Sequence, residues 1–324
     1  MGVPREKFDV VILGSGPASS ACALALRRHS PELSIMIVEG LPGSGPRVGE
    51  TLPPITKGML QHLGIFEAFL DQGHREVYGT SSAWGSPRLD GNEFISLGRG
   101  YGWHLDRARF DRFLVREAAR CGAGTLPGAR FKQATQTGET WLLDVGIGSP
   151  VSARYVVDAT GRRAAFARRR GSSFTNFDRL IGFGRFAKDS KDHDPGTVVE
   201  AFADGWWYTA GLPDGLRFFA CMTDADIGRR LTLSDEVAWL RLVESSPHIR
   251  SFLPDRESLG PIRIYPSGTR WTSCSTGENW LAVGDAASIF DPLSSLGITK
   301  AIRSGIFAAY TIGDLLLKHD KSSV

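Results

Sequence analysis

The chain opens on an unbroken apolar run, Val10 to Leu13, the pattern of a strand buried on both faces. A helix is predicted from Pro17 to Arg28, where Ala18, Ala21, Leu24, Ala25 and Leu26 form an apolar stripe. A second buried strand, Ser34 to Val38, ends in Glu39. Pro53 and Pro54 start a short helix that Gly64 stops. From Ser82 to Ser86 and from Glu93 to Leu97 the pattern changes to strands with glycine turns. Phe110, Leu114 and Ala118 lie on one face of a helix predicted over Arg107 to Arg120. A β-meander is expected between Phe131 and Gly148, then a buried strand over Val151 to Val157. Residues 181–223 read as β again, rich in Phe, Trp and Tyr, and Asp235 to Val243 as helix. Trp280 to Val283 is a last short strand, and the stretch Ile298 to Leu317 a long apolar helix.

These elements predict an α/β protein with a discontinuous nucleotide-binding domain over residues 1–80, 105–180 and 265–324. A sheet-based second domain is expected from residues 81–104 and 181–264. A length of 324 residues suits two such domains. The 42% hydrophobic and 23% charged content is that of an ordinary globular protein. A formal charge of +3 gives no reason to expect a nucleic-acid partner. Cys22, Cys121, Cys221 and Cys274 form no C-x-x-C pair, so neither a zinc site nor a disulfide framework is expected, in keeping with a cytoplasmic location. Lys300, Arg303 and Asp314 interrupt the last apolar stretch, which argues for a core helix and against a membrane span.

The chemistry concentrates at the two ends of the chain. Gly14-Ser15-Gly16-Pro17-Ala18-Ser19 follows the first strand and opens the first helix. Gly14 allows the tight turn, and Gly16 lets the backbone approach a pyrophosphate. The helix N-terminus then offers its N–H groups to the phosphates. Ser19 replaces the third glycine of G-x-G-x-x-G, where a small residue is needed. Glu39 stands about 20 positions on, where a carboxylate binds a ribose 2′-OH and disfavours a 2′-phosphate. The expected nucleotide is therefore FAD or NAD. At the other end, Gly284-Asp285 supplies an acid for a polyol chain, and Pro292 to Gly297 opens the long helix.

In order and spacing these motifs, together with Gly49-Glu50-Thr51-Leu52-Pro53, Asp106 to Asp111 and Asp158-Ala159-Thr160-Gly161, resemble the FAD-dependent monooxygenases related to aromatic hydroxylases and tryptophan halogenases. The resemblance covers nearly the whole chain. It implies a Rossmann-like FAD-binding domain of the glutathione-reductase and aromatic-hydroxylase type with an inserted β-sheet substrate domain. It also assigns roles. Gly49 and Glu50 lie along the flavin or its ribityl chain, Arg107 sits near the pyrophosphate, and Asp158 and Gly161 form a second nucleotide motif. Asp285 accepts a ribityl hydroxyl, Pro292 packs on the ring, and N–H groups at Leu296 and Gly297 face the flavin edge that becomes anionic on reduction. A purely structural reading stays open for two of these: Asp285 as a helix cap, and Arg107 paired with Asp111.

The branch of the family is read from departures. Between Glu50 and Lys132 the only lysine is Lys57, too early to match the halogenase lysine. Trp206-Trp207-Tyr208-Thr209-Ala210-Gly211 lacks the second Trp, the Ile and the Pro of W-x-W-x-I-P, and Ser294 stands where some halogenases have an acid. These losses argue against halogenation. Ser82 to Ser86, Gly102 to Arg107 and Gly205 to Tyr208 look more like the flavoproteins that mature cysteine tryptophylquinone oxidases. That likeness implies reduction of FAD by NAD(P)H or a separate flavin reductase, and O2 captured as a C4a-hydroperoxide. The acceptor would be an electron-rich aromatic small molecule or a protein-borne tryptophan. A reductase or substrate protein would be the partner, with no membrane involved. Trp206 and Tyr208 share one strand face and are candidate substrate contacts. His104 is either a proton donor or acceptor, or a satisfied structural histidine. Arg162, Arg163, Arg168, Arg169 and Arg170 are either a solvated face or a docking site for an acidic partner or a nicotinamide donor. The chain ends soon after the last helix, where family members continue, which predicts a shortened chain or a cavity open on one side. Two other classes stay open: a flavin reductase or dehydrogenase, and an FAD-stabilised partner protein without independent catalysis.

Overall fold

The computed structural model describes residues 6–40, 47–94, 96, 98, 100–188 and 196–317. The chain runs through β1 (Lys7–Leu13), α1 (Pro17–His29) and β2 (Ile35–Glu39), then β3 (Thr51–Leu52), α2 (Thr56–His62) and α3 (Phe66–Leu70). Four short strands follow: β4 (Arg75–Val77), β5 (Gly79–Ala83), β6 (Asp90–Glu93) and β7 (Gly102–His104). Next come α4 (Arg107–Arg120), β8 (Gly124–Pro127) and the meander β9 (Gln133–Thr137), β10 (Thr140–Asp144) and β11 (Val151–Asp158). After α5 (Ala165–Arg169) and β12 (Phe174–Asn176), β13 (Leu180–Lys188), β14 (Thr197–Phe202), β15 (Gly205–Leu212) and β16 (Leu216–Asp224) form a block of strands. The helices α6 (Ala225–Arg230), α7 (Glu236–Glu244) and α8 (Pro247–Arg250) follow. The last elements are β17 (Arg263–Pro266), β18 (Arg270–Thr272), β19 (Thr276–Gly277), β20 (Trp280–Ala282), β21 (Ser288–Ile289) and α9 (Gly297–Leu317).

Strands β20, β11, β1, β2 and β8 lie side by side and parallel, the core of the nucleotide fold. Alternation along β1 explains why Val10 to Leu13 is an unbroken apolar run. Val10 and Ile12 pack with α1, α4 and α9 on one face, whereas Val11 and Leu13 pack with Trp141 and Phe166 on the other. These four consecutive residues do not alternate in polarity because both faces are covered.

The second sheet has the order β17-β13-β16-β15-β14-β5-β6. Its central strands β13, β15 and β16 are buried on both faces too. Trp207, Phe219 and Cys221 pack against Trp239 of α7, while Trp206, Phe218, Ala220 and Met222 form a separate cluster on the opposite face. β7 pairs with β3 and β4 in a small sheet of its own, and β17, which the expected boundary between residues 264 and 265 divides, pairs with β13 in the second sheet. The strand expected over Glu93 to Leu97 ends instead at Glu93, with Ile95 and Leu97 outside the described residues. Among the described residues no helix is long and apolar enough to cross a membrane.

Candidate active site

The turn after β1 is pressed against the end of β11. Gly14 has φ +119°, and a methyl group on it would lie 2.3 Å from the Ala159 carbonyl oxygen, so no other residue fits. Ser19 is fully buried and donates its hydroxyl to the Gly14 carbonyl at 2.6 Å. The departure from the glycine motif is thus a hydrogen bond that braces the turn. Gly16, Gly161 and Gly297 come from three different elements and line one cavity of about 480 Å³. A Cβ on any of them would meet no atom within 4 Å. Three stretches of bare backbone facing the same space form a cradle for a ligand that must approach main-chain N–H groups. Pro17 and Ala18 line it as well.

Asp158 does not take the role expected of it. It is fully buried, and both carboxylate oxygens are consumed within the protein. One accepts from the Thr160 N–H (3.0 Å) and the Thr160 hydroxyl (2.6 Å), the other from the N–H groups of Phe166 (2.9 Å) and Ala167 (2.8 Å). Asp158 therefore fixes the loop and caps α5, and the cavity is lined by its neighbours Ala159, Gly161 and Arg162. Glu39 ends β2 half-buried, between Val38 and Gly40, which line a second cavity of about 200 Å³ with Arg130, Arg163 and Arg169. Arg130 carries no signal in the sequence, where Arg163 and Arg169 stand out only as part of a charged cluster.

Gly284 (φ +58°) brings Asp285 to the cavity wall. One Asp285 oxygen accepts from Lys300 Nζ at 3.1 Å, and the same ammonium donates to the Ser288 carbonyl. Lys300 is 7% exposed. Burial lowers its pKa despite the acid beside it. This lysine, one turn into α9, carried no functional signal in the sequence beyond interrupting an apolar run. Pro292, Ser295 and Gly297 line the cavity, whereas Leu296 does not. The Leu296 N–H is turned to the Ser294 hydroxyl at 3.3 Å, so of the two N–H groups expected to face a flavin edge only that of Gly297 remains. The first N–H groups of α9 have no intrahelical acceptor, which leaves them for a ligand.

Arg107 is both a site residue and a structural one. Its Nη1 donates to the carbonyls of Val48 (2.9 Å) and Gly49 (2.8 Å), and its Nη2 to Asp111 at 3.2 Å. Its Nε is buried without a protein partner, and the side chain borders the cavity. Beside it Glu50 is 3% exposed, with Oε2 unpartnered. Burial pushes the Glu50 carboxyl up in pKa, opposed by a hydrogen bond from Tyr208 and the field of Arg107. Enclosure drives the Tyr208 phenol well above its usual range.

The opposite wall belongs to the second sheet. Trp206, Tyr208, Phe218 and Met222 face the cavity, and Tyr208 reaches Thr51 Oγ1 at 2.9 Å. Trp207 points away and meets Trp239 edge-on, with ring centroids 5.1 Å apart. His104 is fully buried behind this wall and is not a cavity residue. Its Nδ1 lies 2.7 Å from the Gly211 carbonyl oxygen and its Nε2 3.0 Å from Thr197 Oγ1.

The donor set suits FAD. The three open glycines, the unpaired Arg107 Nε and the α9 N-terminus are donors or open backbone, while Asp285 offers an acceptor. Comparison with known proteins identifies the family. A family model described as tryptophan halogenase matches residues 83–320. LodB of Marinomonas mediterranea, named as an FAD-dependent oxidoreductase, is 28% identical over 306 residues, covering 92% of this chain and 83% of LodB. The flavin-dependent halogenase gsfI of Penicillium aethiopicum is 25% identical, with 96% of this chain and 65% of gsfI covered. The 1H-pyrrole-2-carbonyl-[peptidyl-carrier protein] chlorinase of Pseudomonas fluorescens is 24% identical, with 97% and 78% covered. In fold, a flavoprotein/dehydrogenase from Cytophaga hutchinsonii aligns with a TM-score of 0.87 at 22% identity, over 98% of this chain and 80% of that one. The flavin-dependent halogenase CmlS aligns at 0.84 and 24%, over 97% and 59%. The expectation against halogenation is corrected by these matches, because missing motif residues do not outweigh a family defined by halogenases. The chain belongs to the tryptophan halogenase family and is an FAD-dependent oxidoreductase.

Proposed function

We propose that this protein carries out electrophilic substitution on an electron-rich aromatic ring, exchanging a ring hydrogen for a halogen. The observation that carries this reading is a single cavity bounded by the dinucleotide cradle on one side and by Trp206, Tyr208 and Phe218 on the other. The family matches favour halide as the transferred group. FAD, when bound, supplies two-electron chemistry and the activation of O2, with electrons from NAD(P)H directly or through a flavin reductase. Gly16, Gly161, Arg107 and the α9 N-terminus hold its anionic parts, and Asp285 accepts from its polyol chain. The α9 dipole favours negative charge near Gly297. The aromatic wall stacks the substrate ring and keeps water from it. Two relatives named for carrier-bound pyrroles support an aromatic group presented on a protein, of which a protein-borne tryptophan is one form.

A second reading, hydroxylation of the same ring, is favoured by one observation: no lysine borders the cavity among the described residues. One experiment separates the two. The FAD-loaded protein is supplied with a flavin reductase, NADH, O2 and tryptophan-containing peptides, with and without bromide, and products are read by mass spectrometry. Bromide incorporation supports the first reading. Oxygen incorporation that ignores bromide supports the second. Flavin oxidation with no modified ring under either condition would reject both.

A further inference from the structure

Lys300 stands where a lysine is hard to keep. It lies in the first turn of α9, where the helix dipole disfavours a cation, and it is 7% exposed. Its side chain does not border the cavity. Nζ sits beside the ring of Phe290, 5.0 Å from its centroid. Two acceptors hold the ammonium: Asp285 Oδ1 at 3.1 Å and the Ser288 carbonyl. Among the described residues Lys300 is the only cation in ion-pair contact with Asp285. Arg162, in the cavity wall, feels the same acid without touching it. Only one oxygen of Asp285 is engaged, and no described residue donates to Oδ2.

As a prop for the fold such a pair is a poor choice, because apolar side chains of similar volume stabilise as well or better. The ligand supplies a better reason. Asp285 lines the same cavity as Gly16, Gly161 and Gly297. FAD carries an anionic pyrophosphate, and its ring edge becomes anionic on reduction. In the low dielectric of a protein interior, an unpaired carboxylate in that wall would repel both. A cation beside it removes the repulsion, provided that the cation leaves the ligand space clear. Lys300 meets this condition, since it bonds Asp285 and stays out of the cavity.

We propose that Lys300 is a positioning residue that holds Asp285 by Oδ1 and cancels its charge toward the flavin, above all toward the reduced flavin. Oδ2 is then offered to a polyol hydroxyl without the repulsion of a bare anion. Lys300 touches neither the ligand space nor the reacting atoms and acts through Asp285. The inference rests on FAD occupying this cavity, as in the proposed function, and is indifferent to the group transferred to the ring.

The test is the midpoint potential of the flavin in FAD-loaded protein, measured by equilibration with a reference dye. The potential reports the ratio of affinities for reduced and oxidised FAD, so a lost contact that weakens both alike leaves it unmoved. Lys300→Met removes the cation at similar length. It should weaken reduced FAD by at least about tenfold more than oxidised FAD, a fall of about 30 mV for a two-electron couple. Asp285→Asn removes the anion and leaves Lys300 an amide oxygen to bond, so it should raise the potential. The double variant should return close to the wild-type value. Opposed shifts that cancel in the double variant support the charge balance. Unmoved potentials, shifts of the same sign, or a double variant that does not recover overturn it and leave Lys300 a structural prop. Should Lys300→Met fail to fold, as melting of the apoprotein will tell, the sign of the Asp285→Asn shift decides alone. Opposed shifts in a protein whose Asp285→Asn variant binds oxidised FAD at full strength uphold the charge balance and reject the polyol contact of the proposed function.

Discussion

Gly305, midway along α9, faces the backbone of Ala18 in α1 so closely that a methyl group on it would lie 2.3 Å from the Ala18 carbonyl oxygen and 2.9 Å from the Cys22 nitrogen. Gly284 approaches the same residue, with an added carbon 2.9 Å from the Ala18 methyl. The two ends of the chain therefore meet at Ala18, two residues past Gly16 of the cradle. Gly305→Val must push the helices apart. The neighbours are backbone and cannot rotate away, so the cost should reach at least the upper part of the usual overpacking range, about 3 kcal/mol. Thermal denaturation should show a fall of several degrees, and FAD should be retained less tightly because the cradle widens. An unchanged melting temperature would mean that α1 and α9 do not pack as described.

Asp158 is the test of the second nucleotide loop. Four donors share its carboxylate. Asp158→Ala leaves them buried and unsatisfied, at about 3–5 kcal/mol in total once partial relaxation is allowed. Denaturant unfolding should register that loss. Asp158→Asn keeps one acceptor oxygen but turns an NH2 group toward N–H or O–H donors, so it should fall between Ala and the wild type. An Ala variant of full stability would move Asp158 back to a direct ligand role.

How much of this was legible beforehand follows from the range of each interaction. The first strand, the turn at Gly14 and the helix α4 were readable because their causes lie within a few residues: an apolar run, a glycine pair, a 3.6-residue stripe. The alternation that sends Trp206 and Tyr208 one way and Trp207 the other is equally local. Asp158 was misread because a lone acid in D-A-T-G looks the same whether it turns toward a ligand or toward the N–H groups of Phe166 and Ala167. The link between Thr51 and Tyr208 spans 157 positions and leaves no local trace. Lys300 looked like a polar interruption of a helix until the fold placed Asp285 beside it.

Arg107 holds the Val48–Gly49 turn and Asp111 with one planar fork, and Gly49 at φ +85° leaves room for it. A lysine offers a single point of charge and cannot span three acceptors. Arg107→Lys should keep the fold, since Arg47 also reaches Asp111 at 2.8 Å, but weaken FAD binding by about tenfold or more. Titration of apoprotein with FAD, read by flavin fluorescence, gives the ratio directly. Equal affinity would confine Arg107 to a purely structural pairing.

The acid limit of this site should be set by His74. Its Nδ1 accepts at 3.3 Å from the N–H of Asp106, the residue whose carboxylate caps α4 by accepting from the Arg109 N–H at 2.9 Å. The rings of Phe69 and Phe110 enclose it. Burial, then the Arg109 charge, lowers its pKa from 6.5 to about 4, with Asp106 and Asp214 opposing. Between those values the unfolded chain binds a proton that the folded chain refuses. Stability from this group is therefore complete above pH 6.5 and is lost as pH falls toward 4. The full shift would correspond to a few kcal/mol; partial solvent access reduces that to about 2 kcal/mol. His74→Asn keeps an acceptor for Asp106 but cannot take up the proton. Its stability, followed by urea unfolding across this range, should fall less steeply than that of the wild type. Because the Asp106 cap starts the helix that carries Arg107, flavin release should accompany the wild-type loss at acid pH and be delayed in the variant. Parallel stability curves for the two proteins would place the acid sensitivity elsewhere.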